Sequence, residues 1–528
     1  MGSSMRNLSC SQSKAALTIL AALALPIKGN AQSATQIQTA IREYRTAEEA
    51  KILAELRELL AIPNVASDST NIRRNADLLV RMLTRRGVQA RLLETAGSPP
   101  AVYGELPAPG ATRTIVLYAH YDGQPVDTVR WASPAWNPVL RSRALQDGGR
   151  DIAFPDAGQR VDPESRIYAR SASDDKSPIV AMVAALDALQ AKNVQRSVNL
   201  KFFFEGEEEA GSDHLREMLT RHAGLLRADL WLFMDGPVHQ SRRQQIVFGV
   251  RGVMGVNLTV YGPLRPLHSG HYGNWAPNPN VLMAHLIASL RDPDGKILIP
   301  GYYDDVKPPT ATEQAAFAAA PPIDDQLRRE LGLARTEADN ALLAERLMLP
   351  ALNVGGLQGG RTGRGGANLI GTEASAYIDF RLVPDQSPRR VRELFVSHLR
   401  TQGWHVVSDV PDSAARQTHP RIVRVAWSDS GYPSNRTPLD LPAARAVLQT
   451  AREAMSAPVI AVPILGGSLP LYHFSEALGA PLITVPIVNH DNNQHGENEN
   501  LRLRNLWDGI ELIGGLIARL GRVWDLII

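Results

Sequence analysis

One cysteine in 528 residues, 6% aromatic residues and a formal net charge of only +2 exclude several kinds of protein at the outset. A lone thiol, Cys10, builds neither a disulfide framework nor a thiolate metal site. No basic block and no Lys/Arg run interleaved with aromatics occurs, so nucleic acid is not an expected partner. The apolar stretch Ala15 to Ile27 is shorter than the ~20 residues a membrane span needs. Arg6 and Lys14 precede it and Gly29-Asn30-Ala31 follow, so it reads as an export signal cleaved before Gln32, with Met1 or Met5 as the start. Cys10 lies before that stretch, whereas a lipoprotein cysteine would follow it. Cleavage leaves a mature chain free of cysteine, which suits a periplasmic or secreted location.

What is present is a long chain with ample apolar content, enough for two or three domains and without internal repeats. Helical spacing runs from Ala34 to Ile62 and from Asn75 to Arg86. Strands and helices then alternate: Thr114 to Ala119, helix Pro178 to Gln190, Val198 to Phe204, Leu230 to Met234. This alternation predicts a mainly parallel sheet with helices on both faces, an α/β architecture. Between them, Arg141 to Ser165 is rich in Gly, Asp and Arg and reads as a loop insertion. From about Val250 the pattern becomes antiparallel, with alternating strands Val253 to Tyr261 and Ala374 to Leu382 around helix Pro279 to Leu290, and peripheral helices within Pro308 to Pro350. The first pattern returns near Pro438, with helix Ala443 to Met455, strands Pro458 to Ile464 and Pro481 to Ile487, and a closing helix Asn505 to Leu520. The expected division is a signal peptide (1–31), an α/β domain in two parts (32–249 and 437–528) and an inserted α+β domain (250–436).

In open parallel sheets ligands bind beyond the carboxyl ends of the strands, and there this chain places His120-Tyr121-Asp122, Glu207-Glu208-Glu209 and Met234-Asp235. Asp174-Asp175-Lys176 precedes a helix, and His495 comes late. Mixed carboxylates and imidazoles suit zinc, manganese or cobalt, whereas an all-oxygen set would suit magnesium or calcium. Each segment has a plainer reading. His-x-Asp alone more often marks a structural histidine; Asp175 or Ser177 can be a helix cap; Glu205 to Glu209 can be a solvated charge run. Acids packed at a strand end repel one another, however, and call for a cation. His490 competes with His495 for the same role. Gly359 to Gly366 lacks the Gly-Lys-Ser/Thr ending of a phosphate loop and reads as a loop of the inserted domain.

Taken together, Leu117 to Asp122, Arg170 to Lys176, Glu205 to Ser212, His268-Ser269-Gly270, Arg381-Leu382-Val383-Pro384 and His495 to Glu499 resemble, in order, the motifs of the M20 metallopeptidases, and most closely the carnosinase-type dipeptidases. The resemblance spans nearly the whole mature chain. It implies a zinc-peptidase α/β domain split by a lid and dimerisation domain. It further implies two divalent ions per subunit, zinc or else manganese or cobalt. Asp174 would bridge them, His120 and Asp235 completing one site and Glu209 and His495 the other. Asp122 would orient His120 through its second ring nitrogen. Glu208 would be the general base toward a metal-activated water. His268 would reach the partner's oxyanion across a homodimer. Arg381 would clamp a substrate carboxylate, with Asn368, Gly467 and Ser468 lining the substrate. The chain departs from the family in carrying Ser171 and Ser177 where glycine is usual, and in a longer loop between His120 and Asp174, which is expected to reshape access or preference. The implied reaction is hydrolysis of dipeptides or short peptides with a free C-terminus. N-acyl amino acids are the alternative substrates, and an exported binding protein without catalysis is the third reading; retention of Glu208 with the full ligand set argues against it.

Overall fold

The computed structural model describes residues 1, 2 and 32–527, so the expected signal peptide lies outside the described residues apart from Met1 and Gly2. Among the described residues, no helix is long and apolar enough to cross a membrane.

The core is an eight-stranded sheet in the order Gln89–Leu93, Ala101–Leu106, Asn199–Glu205, Thr114–His120, Leu230–Phe233, Leu482–Thr484, Gln245–Val247, Ile460–Val462. Thr114–His120 lies parallel between Asn199–Glu205 and Leu230–Phe233, and Leu482–Thr484 extends the parallel block. These strands read Ile-Val-Leu-Tyr-Ala, Leu-Lys-Phe-Phe-Phe and Leu-Trp-Leu-Phe because helices cover both faces, and a sheet buried on both sides needs continuous apolar runs. One face packs on helices Lys176–Ala191, Pro442–Ala454 and Leu503–Ile527. On the other, Phe474 of helix Leu471–Leu478 meets Tyr118, Phe203 and Phe233 edge-on.

A second, five-stranded sheet has the order Ala351–Gln358, Glu373–Leu382, Gly252–Tyr261, Ile422–Tyr432, His405–Val407. Alternation along Gly252–Tyr261 and Glu373–Leu382 turns Met254, Val256, Leu258, Ile378, Phe380 and Leu382 toward helices Pro279–Leu290 and Pro388–Thr401. Arg381 and Asp379 therefore occupy the opposite face. The two sheets are joined where Gly249–Val250 pairs with Asn435–Arg436.

Some elements differ from expectation. The helix expected over 34–62 is two, Ala34–Ala47 and Glu49–Leu60, broken where Glu48 leaves helical geometry (φ −110°, ψ 16°). The apolar periodicity crosses the break undisturbed because both pieces bury the same face, through Ile37 and Ile41 and then Ile52, Leu53 and Leu56. The next helix starts at Ser69, six residues before Asn75, because Asp68 caps it by accepting from the Asn71 amide (3.0 Å). The expected loop at 141–165 is partly structured: Val139–Arg141 pairs with Asp151–Ile152 and with Arg166–Tyr168, which pairs in turn with Asn500–Arg502. Phe154 from this segment packs under the Arg57 guanidinium at 4.9 Å, and the Val161 amide donates to Glu49. The insertion braces the strands that enter and leave the loops carrying Asp174 and His495.

Helix Leu503–Ile527 runs behind the sheet, and at Gly521 its backbone is pressed against the Ser197 carbonyl. Gly521→Ala should cost about 1–3 kcal/mol as the overpacked helix shifts. Gly224→Ala, where a Cβ meets nothing, should instead be neutral or stabilise by about 0.5–1 kcal/mol. Urea melts of the two variants check the contrast, and equal effects would refute the packing argument.

Candidate active site

Strand ends and two loops bring the polar residues together. His120 is the last residue of its strand, completely buried. Its Nε2 lies 2.9 Å from Asp174 Oδ1 and its Nδ1 3.3 Å from Asp122 Oδ1. Asp122 does more than orient the imidazole: its two oxygens accept the amides of Glu208 (3.1 Å) and Glu209 (3.0 Å). One carboxylate thus ties the ends of two neighbouring strands together.

The acid run at 205–209 is divided among four tasks. Glu205 is buried and accepts from Tyr118 (2.8 Å) and Ser212 (2.6 Å). Glu207 accepts from the His214 amide (2.8 Å) and lies 3.0 Å from its ring. Glu209 Oε2 lies 3.3 Å from His495 Nε2 and accepts from Gln124 (2.9 Å). Glu208 and Glu209 both keep partial solvent access, and Glu208 alone has no hydrogen bond to its carboxylate among the described residues. The run is therefore no solvated charge cluster.

Asp174 stands between two groups of ligand-type atoms, His120, Asp174 and Asp235 in one and Asp174, Glu209 and His495 in the other. Within each group the atoms lie within 4.8 Å of one another. His495 Nε2 is 3.1 Å from Asp174 Oδ2. His490 joins neither group.

Glu499 shapes the loop under Asp174. Its buried carboxylate accepts the amides of Ser171 (3.0 Å), Ser173 (2.9 Å) and Asp174 (2.9 Å) and pairs with Arg170 at 2.7 Å. Ser171, where the related family uses glycine, adopts φ +60°, the left-handed region glycine prefers. Its hydroxyl accepts from Asn64 (2.9 Å), so the serine keeps the glycine-like backbone and adds a hydrogen bond. At the start of the following helix Asp175 occupies the cap position without a side-chain capping bond; it accepts instead from the His120 amide.

The electrostatics follow from this crowding. Burial, then repulsion from Asp174, pushes Glu209 up to about 7 and Asp235 up to about 6. Burial, with Asp235, Asp174 and Glu205 nearby, raises Glu208 well above the usual carboxylate range despite the opposing pull of His120. Asp174 stays far below that range in spite of its burial, because both histidines hydrogen-bond to it. Its bond to Asp174 lifts His495 to about 8. Buried carboxylates that resist ionisation beside two imidazoles form a donor set that divalent cations would relieve.

Arg381 lies apart from this cluster. Its Nη1 donates to Ser468 Oγ (2.8 Å) and its Nε lies 3.4 Å from Asp379. Gly467 offers its carbonyl to the Arg251 amide (3.2 Å). Arg251 carried no signal in the sequence. Its buried side chain has one bond, to the Leu349 carbonyl (3.1 Å), and no carboxylate partner among the described residues. Burial, then the neighbouring Arg381 charge, lowers it to about 10. His268 and Asn368 sit together elsewhere, Leu267–His268 pairing with Leu369–Ile370 and the Ser269 amide donating to the Asn368 carbonyl (3.0 Å). His268 is exposed, and no hydrogen bond among the described residues connects it to the metal-type cluster.

A parallel-sheet domain with two ligand groups sharing one aspartate at its strand ends, joined to an antiparallel domain, is the arrangement of a metallopeptidase. The chain belongs to the peptidase family M20/M25/M40, whose pattern it matches over residues 116–519. It is 26% identical over 365 residues to a Cys-Gly metallodipeptidase of Schizosaccharomyces pombe, covering 66% of this chain and 72% of that protein. It is 28% identical over 308 residues to a Beta-Ala-His dipeptidase of Mus musculus, covering 57% of this chain and 58% of that one. An M20 family metallo-carboxypeptidase from Sulfolobus solfataricus superposes with a TM-score of 0.70 at 27% identity, over 89% of this chain and 99% of that structure.

Glu499→Gln tests the loop. Both oxygens accept backbone amides, so an amide nitrogen in either place must face a donor. Divalent-ion affinity, read by chelator competition, should fall about 10–100-fold, the usual cost of losing a ligand's support. Unchanged affinity would show that the loop holds its shape unaided.

Proposed function

We propose that this protein is an exported dipeptidase or short-peptide hydrolase that acts on substrates with a free C-terminal carboxylate. The observation that carries the reading is Glu208: an acid with partial access, whose carboxylate has no hydrogen bond among the described residues, close enough to His120, Asp235 and Asp174 of the two ligand groups to feel their charges. His120, Asp174 and Asp235 would hold one divalent ion, and Asp174, Glu209 and His495 the other. Ions bound there, zinc in our reading, supply the positive charge that acidifies water and polarises the scissile carbonyl.

Glu208, whose proton affinity is raised by burial, takes the proton of the attacking water and delivers it to the leaving amine. Asp122 holds His120 and the Glu208–Glu209 backbone in register throughout. Arg381, steadied by Ser468, receives the substrate carboxylate as a planar fork. Residues 250–436 act as a lid and dimerisation domain, and exposed His268, with Asn368 beside it, serves the oxyanion of the partner subunit. Residues 1–31 direct export to the periplasm or beyond. The names of the relatives, two dipeptidases and a metallo-carboxypeptidase, support a peptide substrate.

The test is hydrolysis, by the chain from Gln32 onward, of dipeptides beside matched N-acetyl amino acids, with chelator and with added zinc. Dipeptide turnover that chelator abolishes is expected; preference for the acetylated set would make the protein a deacylase, and no turnover would leave a binding protein. Glu208→Ala should lower kcat by about 10²–10⁴-fold with metal content retained. Mixing His268→Ala with Glu208→Ala subunits should restore part of the activity, and no recovery would contradict a shared site.

A further inference from the structure

The second sheet carries a residue that the reaction outlined above does not use. Val253 pairs with Arg381 on one side and with Tyr432 on the other. Directly opposed residues in antiparallel strands project to the same face, so Arg381 and Tyr432 stand on one row, two strand spacings or about 10 Å apart. Gly431, one residue earlier, opposes Met254 and therefore belongs to the helix-covered face. Tyr432 is thus aimed to the side where Arg381 meets Ser468.

The loop containing Ser468 leads into helix Leu471–Leu478, which brings a second ring to the same place. His473 lies with its ring centroid 6.3 Å from that of Tyr432, tilted by 59°. Phe474 turns into the core, while His473, about 100° around the helix, stays partly exposed. Arg216 steadies the imidazole, its Nη2 lying 3.4 Å from His473 Nδ1 while Nη1 pairs with Glu476 at 3.0 Å. Both rings are half-buried, and no hydrogen bond to the Tyr432 hydroxyl is present among the described residues. The phenol is pushed up to about 12, by burial first and then by the Glu208 carboxylate, with Arg381 opposing. It therefore feels both the proposed base and the proposed carboxylate clamp.

We propose that Tyr432 and His473 form the wall of the pocket for the C-terminal side chain of the substrate, and that they favour aromatic and large apolar residues there over glycine. This rests on the peptidase reading above. With the carboxylate on Arg381 and the scissile bond at Glu208, the C-terminal Cα lies between the two, and its side chain must leave that line toward one wall. The wall on this row is two flat rings, with a hydroxyl and an imidazole at their edges.

The experiment compares kcat/KM for Ala-Phe, Ala-Leu and Ala-Gly in the wild type, Tyr432→Ala, Tyr432→Phe and His473→Ala, each checked for a native melting profile. The wild type should prefer Ala-Phe to Ala-Gly by roughly 10- to 200-fold, the range a single pocket contact gives. Tyr432→Ala and His473→Ala should each lower that ratio about tenfold, and Tyr432→Phe should keep it. Should Tyr432→Ala not fold, the ratios of the other two variants decide. A wild type that cleaves these dipeptides without favouring Ala-Phe, or a ratio that His473→Ala and Tyr432→Ala leave unmoved, overturns the pocket while the peptidase reading stands. A wild type that cleaves none of them overturns both.

Discussion

The site depends on the burial, and then the mutual repulsion, of Asp174, Glu208, Glu209 and Asp235, four carboxylates crowded at the ends of parallel strands. Bringing them together opposes folding unless positive charge enters with them. Two imidazoles supply some of it, holding Asp174 ionised at the expense of its neighbours. The scaffold accepts the rest of the cost because it is rigid: the central strands are buried on both faces, and the ligand residues follow directly from strand ends or from a loop tied to Glu499. Without a cation the raised proton affinities of Glu208, Glu209 and Asp235 let protons relieve part of that repulsion.

That constraint also explains the division of labour between the sheets. The parallel sheet concentrates negative charge and can bind cations. The antiparallel sheet carries Arg381, bonded to Ser468, with Arg251 near enough to feel its charge and without a carboxylate partner among the described residues; in the proposed reading a substrate carboxylate would lie there. The proposed substrate, a peptide with a free C-terminus, would suit that polarity, its carboxylate toward the guanidinium groups and its scissile carbonyl toward the carboxylate-lined site. The insertion between His120 and Asp174 extends the small sheet that ends in Asn500–Arg502 beside the metal-type loops.

The alternating run of strands and helices was legible because a sheet covered on both faces writes itself as apolar runs, and the strand ends then located His120, Glu208 and Asp235. Boundaries were less legible where one residue decides them: Glu48 breaks a helix without disturbing its apolar stripe, and Asp68 caps one earlier than periodicity suggests. The short strands at 139–141 and 151–152 were hidden because they carry too few residues to alternate, and Arg166–Tyr168 because it pairs with Asn500–Arg502, hundreds of positions away. Within the site, Asp122 was visible as a partner of His120, but its hold on the Glu208 and Glu209 amides was not, because backbone bonds leave no mark on side-chain type. Glu499 was visible as part of the motif after His495 but not as the anchor of the Asp174 loop, and Arg251 and Tyr432 left no signal, for a related reason: each acts through neighbours that only the folded chain assembles. Ser171 shows the converse, a residue that looked unsuited to its place and adopts the glycine-like backbone with help from Asn64.

The central claim is that Asp174 bridges two cations that offset the carboxylate repulsion. Anomalous diffraction at the zinc edge from crystals grown with zinc tests it most directly. The account predicts two ions per chain on either side of the Asp174 carboxylate, one against His120 and Asp235 and the other against Glu209 and His495. A single ion, or ions bound away from Asp174, would contradict it.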